Sequence, residues 1–206
     1  MSIFSRLQIV ALALGVVILI YAVYQSSGSA EAAVISQNPA AAQATFLGDY
    51  VASGIGRFLL YQQPAPTASF PEYGYIPVKR NAWGQWRIGT GGPCSSPNPQ
   101  PMTSTVDFHA HYLPSIYGDN DPTAYSVVCG HVNNVDAHTA AVRWADGTVT
   151  RSLVKQDWFL ILKPARQAAC QLQLLDNTEM VIQTIDLAQV DFPSTDTTTP
   201  LPPCTN

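Results

Sequence analysis

The sequence TAAVRWADGTVTRSLVKQDWFLIL, residues 139–162, predicts three consecutive β-strands. Residues 139–144 and 148–154 alternate apolar with polar side chains, and the Asp146-Gly147 pair between them is typical of a tight hairpin turn. Residues 158–162 form a continuous apolar run that a Lys-Pro pair ends. Such a run is typical of a strand buried on both faces, so we expect it to be the central strand of the core.

The same signals recur on both sides of this stretch. Short strand-like segments, separated by turn residues, recur at intervals of roughly ten residues, which is typical of an antiparallel β-sandwich or barrel. The last two form a second hairpin around Asp176-Asn177. The sequence therefore predicts a mainly β domain over residues 72–192, followed by a Pro/Thr-rich tail at 193–206. The further predicted strands are 73–78, 82–88, 105–112, 124–132, 170–175 and 180–187.

Three parts of this region follow one another in a recognisable order: VVCGHV at 127–132, AAVRWADGT at 140–148 and DWFLILKP at 157–164. In this order of motifs, residues 125–187 resemble bacterial membrane-anchored extracytoplasmic β-domain proteins of unknown function. The resemblance implies a protein of the bacterial envelope, and it implies no catalytic residues.

An apolar segment near the N-terminus, LQIVALALGVVILIYAVY at residues 7–24, contains no charged residue. At about 1.5 Å per residue it would span roughly 27 Å as a helix, close to the ~30 Å hydrocarbon thickness of a bilayer. Arg6 precedes it and the next cation is Arg57, so the positive-inside rule makes residues 1–25 a cytoplasmic start and a single transmembrane helix. The remaining chain is then expected outside the bacterial plasma membrane. The alternative is a signal peptide cleaved after Ala30-Glu31-Ala32.

Residues 26–71 are predicted to hold a linker, an amphipathic helix at about 39–62 and a Pro-rich connector. Asn38-Pro39 resembles an N-cap followed by proline at the first helical position, and apolar residues then recur three or four apart. Three glycines lower the helix propensity, so we expect this helix to need a surface to pack on. That surface is the domain's own sheet, the membrane interface or a partner subunit. The predicted contact residues are Phe46, Leu47, Tyr50, Val51, Ile55, Phe58 and Leu59.

Four cysteines, Cys94, Cys129, Cys170 and Cys204, all follow the apolar segment, on the side predicted to be oxidising. An even number in such a compartment indicates two disulfide bonds with three possible connectivities. Cys129 and Cys170 lie in predicted core strands, whereas Cys94 and Cys204 lie in Pro-rich irregular segments. We therefore predict that Cys129 pairs with Cys170, and Cys94 with Cys204. The alternative for Cys129 is a buried free thiol.

The segment DFHAHYLP, residues 107–114, holds two histidines two positions apart. On a strand, His109 and His111 share one face about 7 Å apart, within reach of one zinc or copper ion. The segment is similar to the metal-binding first strand of amidohydrolases, but that family builds a barrel of eight strands and eight helices, typically ~250 residues, which the hairpins here do not match. A smaller metal site would need His131 or His138 as a further ligand. The other interpretation of the pair is an exposed polar strand face.

Composition and motifs narrow the classes of function. Only 12% of the residues are charged and the net charge is −4, which does not suit a nucleic-acid-binding surface. The sequence contains neither Gly-x-Ser-x-Gly nor Cys-x-x-Cys, and its carboxylates show no spacing typical of acid–base catalysis. We therefore predict neither an enzyme nor a cofactor.

The anchor, the apolar helix and the low charge together predict a non-enzymatic single-pass membrane protein. We expect it to be an accessory or structural subunit of a larger bacterial membrane complex, with a bioenergetic complex as one candidate host. Its predicted partners are the lipid bilayer, through residues 7–24, and membrane-protein subunits. Two alternatives stay open. One is a free-standing envelope module that binds a peptide or glycan through its Trp-bearing strands, and the other is a small metal-binding protein that uses His109 and His111.

Overall fold

The computed structural model describes residues 3–26, 28–52, 54–64, 72–94, 105–118, 123–133, 135–187 and 202–204. Within these residues the protein is mainly β. Its helices are α1 (Ile3–Ser26), α2 (Ala30–Gln37) and a 3₁₀ helix (Pro39–Gln43). Its strands are β1 (Thr45–Ala52), β2 (Gly56–Gln62), β3 (Tyr73–Arg80), β4 (Trp86–Ile88), β5 (Gly92–Pro93), β6 (Val106–Leu113), β7 (Tyr125–Val132), β8 (Thr139–Trp144), β9 (Val149–Leu153), β10 (Trp158–Lys163), β11 (Ala169–Leu175) and β12 (Val181–Asp186).

The described strands form three antiparallel sheets. The N-terminal sheet has the order β1-β2-β3-β4, with β5 also paired to β3. The middle sheet has the order β10-β7-β6, and the C-terminal sheet has the order β12-β11-β8-β9. The prediction of an antiparallel, sandwich-like β fold is confirmed, although three sheets are stacked rather than two.

The middle sheet packs between the other two because its strands are apolar on both faces. On β7, Val127 and Cys129 belong to the core shared with the N-terminal sheet, whereas Val128 belongs to the core shared with the C-terminal sheet. Phe58 is a large, fully buried side chain of the core between the N-terminal and middle sheets, which we call the inner core. Trp144 is the corresponding residue of the core between the middle and C-terminal sheets. Successive strand residues point to opposite faces, so one apolar strand can serve both cores.

The outer face of the N-terminal sheet is covered by α2 and the 3₁₀ helix. Ala30 and Val34 of α2 are buried against Leu59 and Ile76 of the sheet. Ser29 caps α2, because its Oγ accepts a hydrogen bond of 3.1 Å from the amide of Ala32. Residues 30–37, which we predicted to be part of a linker, therefore form a helical layer of the domain.

The predicted amphipathic helix at residues 39–62 is wrong. The segment forms the 3₁₀ helix and then the β1–β2 hairpin, which pairs with β3, so the described β structure begins at residue 45 and not at 72. The turn contains Gly54 at φ +78° and Gly56 at φ +143°, which a helix does not allow. The apolar residues come in neighbouring pairs, and strand alternation points the two members of a pair to opposite faces of the sheet. Phe58 lies in the inner core, and Leu59 lies in the outer core, which is the cluster between this sheet and α2.

Most predicted strands are confirmed, with small changes of boundary. The hairpin at Asp146-Gly147 is present, with Gly147 at φ +78° and the Asp146 carboxylate accepting a hydrogen bond of 3.0 Å from the amide of Thr148. The predicted central strand, β10, lies in the middle sheet but at its edge, and β7 is the central strand of that sheet. The predicted strand 82–88 is shorter than expected, because residues 81–85 form a turn before β4. The Pro-rich connector and most of the tail lie outside the described residues.

For α1, the structure describes the side chains between Val10 and Tyr21. In the described part of the chain, no helix has both the length and the apolar character required to cross a membrane.

The disulfide bonds join Cys94 to Cys129 and Cys170 to Cys204, so the predicted connectivity is wrong. Cys129 points from β7 towards the N-terminal sheet, where Cys94 follows β5 at a Cα–Cα distance of 5.1 Å. Cys170 lies on β11 of the C-terminal sheet, beyond the opposite face of the middle sheet. Two core strands therefore do not imply that their cysteines meet, and the strand assignment stands although the predicted pairing does not.

Candidate functional site

Three sheet edges meet at a groove of about 290 Å³ on one side of the protein. In the described residues, β1, β9 and β10 each have a hydrogen-bonded neighbour strand on one side only. Residues of all three line the groove, from Tyr50 on β1, through Ser152 on β9, to Leu162 on β10. We call this site the edge groove.

The backbone of β10 turns polar groups towards the edge groove. The amide of Val132 donates a hydrogen bond to the carbonyl of Asp157, the residue before β10. Together with the strand register, this bond identifies the β10 residues whose backbone groups point towards β7. In an antiparallel pair these residues alternate, so the N–H and C=O groups of Leu160 and Leu162 point away from β7. Both leucines line the groove, and no described strand pairs with this edge. The groove thus offers the hydrogen-bonding pattern of an unfilled strand position.

The β1–β2 hairpin is fixed beside this edge by contacts with the turn that precedes β10. The Tyr50 hydroxyl donates a hydrogen bond of 2.5 Å to the carbonyl of Trp158. Lys155 donates through Nζ to the carbonyl of Asp49 at 2.9 Å, and the same ammonium lies 4.9 Å from the centre of the Tyr50 ring. Burial raises the pKa of Tyr50, so its hydroxyl keeps the proton that it donates.

The wall of the edge groove is weakly charged and partly apolar. Val51 is the most exposed apolar residue of the wall, with 75% of its surface accessible to solvent. Arg151 is the one charged residue among the described residues of the lining, and its guanidinium forms an ion pair of 3.2 Å with Glu179. The groove therefore suits an uncharged, extended chain better than a charged ligand.

The seven residues that we predicted to bind a partner lie in three different environments. Tyr50, Val51 and Ile55 line the edge groove. Phe58 and Leu59 are buried in the two faces of the N-terminal sheet, with accessible fractions of 0% and 1%. The other two, Phe46 and Leu47, pack partly buried against the outer and inner cores respectively. A partner can reach Val51 and Ile55 without unfolding the sheet, whereas Tyr50, Phe58 and Leu59 are buried core residues.

Sequence reasoning missed the β9 and β10 walls of the groove. Their strands were predicted, but which strands lie at sheet edges depends on the order of strands in each sheet, which the sequence does not state. Residues such as Thr150 and Leu160 carry no pattern that marks an edge. Pro164, which follows β10 directly, is the one local signal, since proline is compatible with edge strands.

The two histidines of β6 lie between the middle and N-terminal sheets. The two histidines share one face of this strand, as predicted. The other face carries Val106, Phe108 and Ala110, which pack in the core between the middle and C-terminal sheets. The expected exposed polar face is wrong, because His111 is only 6% exposed. The N-terminal sheet covers it, and its Nε2 atom shares a hydrogen bond of 2.6 Å with the Tyr75 hydroxyl.

Burial controls the protonation of this pair. Burial, together with the positive charge that His109 can carry, lowers the pKa of His111 to about 3. Burial also lowers the pKa of His109, while the nearby carboxylate of Asp107 partly opposes this. Both imidazoles are therefore neutral near pH 7, and their rings lie 5.2 Å apart between centres. The Nδ1 atom of His111 is buried and has no hydrogen-bond partner in the described structure.

The geometry brings His109 and His111 together but does not complete the predicted metal site. Among the described side chains, no group of three or more His, Cys, Asp and Glu is placed to bind a metal ion. His131 packs on the ring of Trp158 at 4.8 Å, and its Nδ1 lies 2.7 Å from the side-chain oxygen of Asn133. His138 is exposed, and it precedes β8 in the C-terminal sheet.

The tryptophans take two different roles. Trp144 and Trp158 are buried core residues, with accessible fractions of 1% and 6%. Trp83, by contrast, is 81% exposed, and Trp86 is half-buried on the same β3–β4 hairpin.

Two of the carboxylates whose spacing we considered for acid–base catalysis, Asp119 and Asp121, lie outside the described residues.

Comparisons of the chain with protein-family models, with curated proteins and with solved structures give no match.

Proposed function

We propose that the chain is a non-enzymatic, single-pass membrane protein whose β domain serves as an accessory subunit by accepting an extended segment of a partner protein in the edge groove. The observation that carries the proposal is the outer edge of β10, which no described strand pairs with and at which the backbone groups of Leu160 and Leu162 point towards the groove. Addition of a strand to such an edge is a common mode of peptide recognition.

The anchor part of the proposal rests on the apolar sequence at residues 7–24, which lies within α1. The large apolar side chains described in this helix face outward, with exposed fractions from 49% at Val16 to 74% at Leu12. Exposure of this kind is costly in water, whereas a lipid environment removes the cost. The two disulfide bonds support an oxidising compartment on the other side, which agrees with a cytoplasmic N-terminus and an outer domain.

The partner part of the proposal is supported by the shape and composition of the groove. Free strand edges in stable proteins are normally short, charged, twisted away or covered. The β10 edge is flanked by residues of β1 and β9, which leave a groove of about 290 Å³ beside it. Val51 and Ile55 offer apolar contacts to alternate side chains of that strand.

Site-specific photo-crosslinking tests this proposal. A benzoylphenylalanine placed at position 51 in the full chain, in native membranes, should crosslink to a membrane-complex subunit, and mass spectrometry should identify the crosslinked segment. The same group at Val149, an exposed valine of β9 that does not line the groove, is the matched control. A synthetic peptide of that segment should then slow amide hydrogen exchange at Leu160 and Leu162.

Two results would contradict the proposal. If the detergent-solubilised native protein migrates at its own mass, it is not a subunit of a complex, and a free-standing binding module becomes the better interpretation. If the peptide binds without slowing exchange at Leu160 and Leu162, the partner uses another surface.

A second candidate function, metal binding by His109 and His111, is favoured by one observation, the buried Nδ1 atom of His111 that has no described hydrogen-bond partner. Dialysis of the oxidised protein against zinc or copper, followed by metal analysis, tests it. His109→Gln and His111→Gln should each abolish binding, and His138→Gln, at an exposed histidine, should not. Equal metal content in all variants would overturn this candidate.

A further inference from the structure

The β3–β4 hairpin contacts Gly28, which lies between α1 and α2. α1 ends at Ser26 and α2 begins at Ala30, so only a few residues separate the two helices. Within that short connection, the carbonyl of Gly28 accepts a hydrogen bond of 2.7 Å from the indole nitrogen of Trp86 on β4. α2 is itself packed on the N-terminal sheet through Ala30 and Val34. The hairpin is therefore held near the point at which the chain leaves α1.

This hairpin is the most basic segment of a weakly charged protein. Lys79, Arg80 and Arg87 are three of the ten Lys and Arg residues of the chain, and no Asp or Glu occurs between Glu72 and Asp107. In the described structure none of the three cations forms an ion pair. Lys79 pairs with Arg87 across the hairpin and Arg80 pairs with Trp86, so the two pairs lie on opposite faces of the sheet. An anionic surface at the tip of the hairpin attracts cations of both faces, because they lack counter-charges of their own.

Aromatic rings and a backbone carbonyl contact the three cations instead. The Arg80 guanidinium lies 4.8 Å from the centre of the Trp86 ring, and the Lys79 ammonium lies 3.9 Å from the centre of the Tyr117 ring. Arg87 donates a hydrogen bond to the carbonyl of Tyr117. These contacts orient the side chains but leave their charge uncompensated.

Trp83 stands at the tip of the hairpin with 81% of its surface exposed. An ordered turn holds it there, because the side-chain oxygen of Asn81 accepts hydrogen bonds from the amides of Trp83 and Gln85, at 2.9 and 3.0 Å. Gly84, at φ +75°, supplies the left-handed conformation that this turn requires. Tryptophan beside Arg and Lys is the composition that proteins place at membrane–water interfaces.

We propose that the β3–β4 hairpin docks on the surface of the membrane that α1 enters, with Trp83 in the interfacial layer and Arg80, Lys79 and Arg87 on the phosphates of anionic phospholipids. This inference rests on the anchor in the proposed function. It adds a second contact with the bilayer, which fixes the orientation of the β domain relative to the membrane and so the direction in which the edge groove faces.

Depth-dependent quenching by brominated lipid tests the docking. The full chain is reconstituted into phosphatidylcholine vesicles, with and without phosphatidylglycerol, in which the acyl chains are brominated close to the headgroup. Quenching of tryptophan fluorescence should be strongest with phosphatidylglycerol at low salt and should largely disappear in Trp83→Phe. Arg80→Gln should lower the ratio of docked to undocked protein about fivefold on the anionic vesicles. Lys163→Gln, at a cation of the middle sheet that pairs with Asp146 and does not line the edge groove, should leave the ratio unchanged.

Alkaline carbonate extraction of the same vesicles separates this inference from the anchor. If the protein stays in the membrane and Trp83→Phe is quenched as strongly as the wild type, the anchor stands and the docking is overturned. If carbonate extracts the protein, both are overturned. If Trp83 is unquenched in lipid vesicles but becomes shielded in native membranes, the hairpin contacts a protein, and the lipid assignment is wrong.

Discussion

The Tyr75 hydroxyl and the Nε2 atom of His111 lie 2.6 Å apart, although the two residues are 36 positions apart and belong to different sheets. The bond crosses the interface between the N-terminal and middle sheets. Burial raises the pKa of Tyr75 well above its usual value, so the hydroxyl keeps its proton. The imidazole stays neutral for the same reason, and this polar contact inside an apolar core therefore carries no charge.

The pH dependence of stability should report the burial of His111. The pKa of this histidine is about 3 in the folded protein and about 6.5 in the unfolded chain, so between these values the unfolded state binds a proton that the folded state does not. The free energy of unfolding should therefore fall as the pH is lowered from about 6.5 towards 3, by up to ~1.4 kcal/mol per pH unit. Urea unfolding at a series of pH values measures this slope. His111→Gln should flatten it, and the exposed-site control His138→Gln should not. An unchanged slope in His111→Gln would assign the effect to other groups.

Gly92→Ala should destabilise the protein through the same contact. A Cβ atom at this position would lie 2.5 Å from His111 Nε2 and 3.2 Å from the Tyr75 hydroxyl. We expect a loss of about 1 to 3 kcal/mol, as for overpacked cores. Gly48→Ala is the matched control, because a Cβ there meets no atom within 4 Å. Thermal unfolding of the two variants decides the matter, and equal melting temperatures would be inconsistent with this packing.

Phe58→Asp should prevent folding, whereas Val51→Asp should leave the fold intact. Phe58 is fully buried in the inner core, so an aspartate there would place an unpaired charge in an apolar interior at a cost of several kcal/mol. Val51 is 75% exposed on the adjacent strand. Circular dichroism and size-exclusion chromatography distinguish these outcomes. A folded Phe58→Asp protein would favour the exposed amphipathic helix over the observed hairpin.

The two disulfide bonds should differ in their contribution to stability. They close loops of nearly equal length, with sequence separations of 35 and 34, so the chain-entropy model gives each about 4 kcal/mol. Cys94 and Cys129 are both fully buried between two sheets, and their removal also leaves a cavity. The double variant Cys94→Ala/Cys129→Ala should therefore lose more stability than Cys170→Ala/Cys204→Ala in urea unfolding. The reverse order would show that the first pair is not a core crosslink.

Local patterns were sufficient where the structure depends on neighbouring residues. The Asp146-Gly147 turn was predictable because glycine supplies the positive φ and aspartate accepts the hydrogen bond of the next amide, both within four residues. The helix at 39–62 was mispredicted because apolar neighbours such as Phe58 and Leu59 fit a helical stripe and a strand buried on both faces equally well. Gly54 and Gly56 were the signals that favour a turn.

Contacts between distant segments were beyond the sequence pattern. The cysteine pairing depends on which face of β7 carries Cys129 and on which sheet lies against that face. The burial of His111 depends on the N-terminal sheet, which covers a strand face that looks polar in isolation. The edge groove depends on the order of strands in three sheets. Each is a property of the stacking of sheets, and a pattern of period two is compatible with several stackings.

The position of β10 also constrains the order in which the chain can fold as it is synthesised. Trp158 and Leu160 belong to one core, and Phe159 and Ile161 belong to the other, so neither core is complete before residues 158–163 have been synthesised. The bond from Tyr50 to Trp158 spans 108 positions, and loops of this length close slowly. Until then the inner face of the N-terminal sheet, with Phe58 and Leu60, lacks the part of its cover that β10 supplies. Completion of the core on the inner face of the N-terminal sheet is therefore coupled to a strand that begins 108 positions after Tyr50.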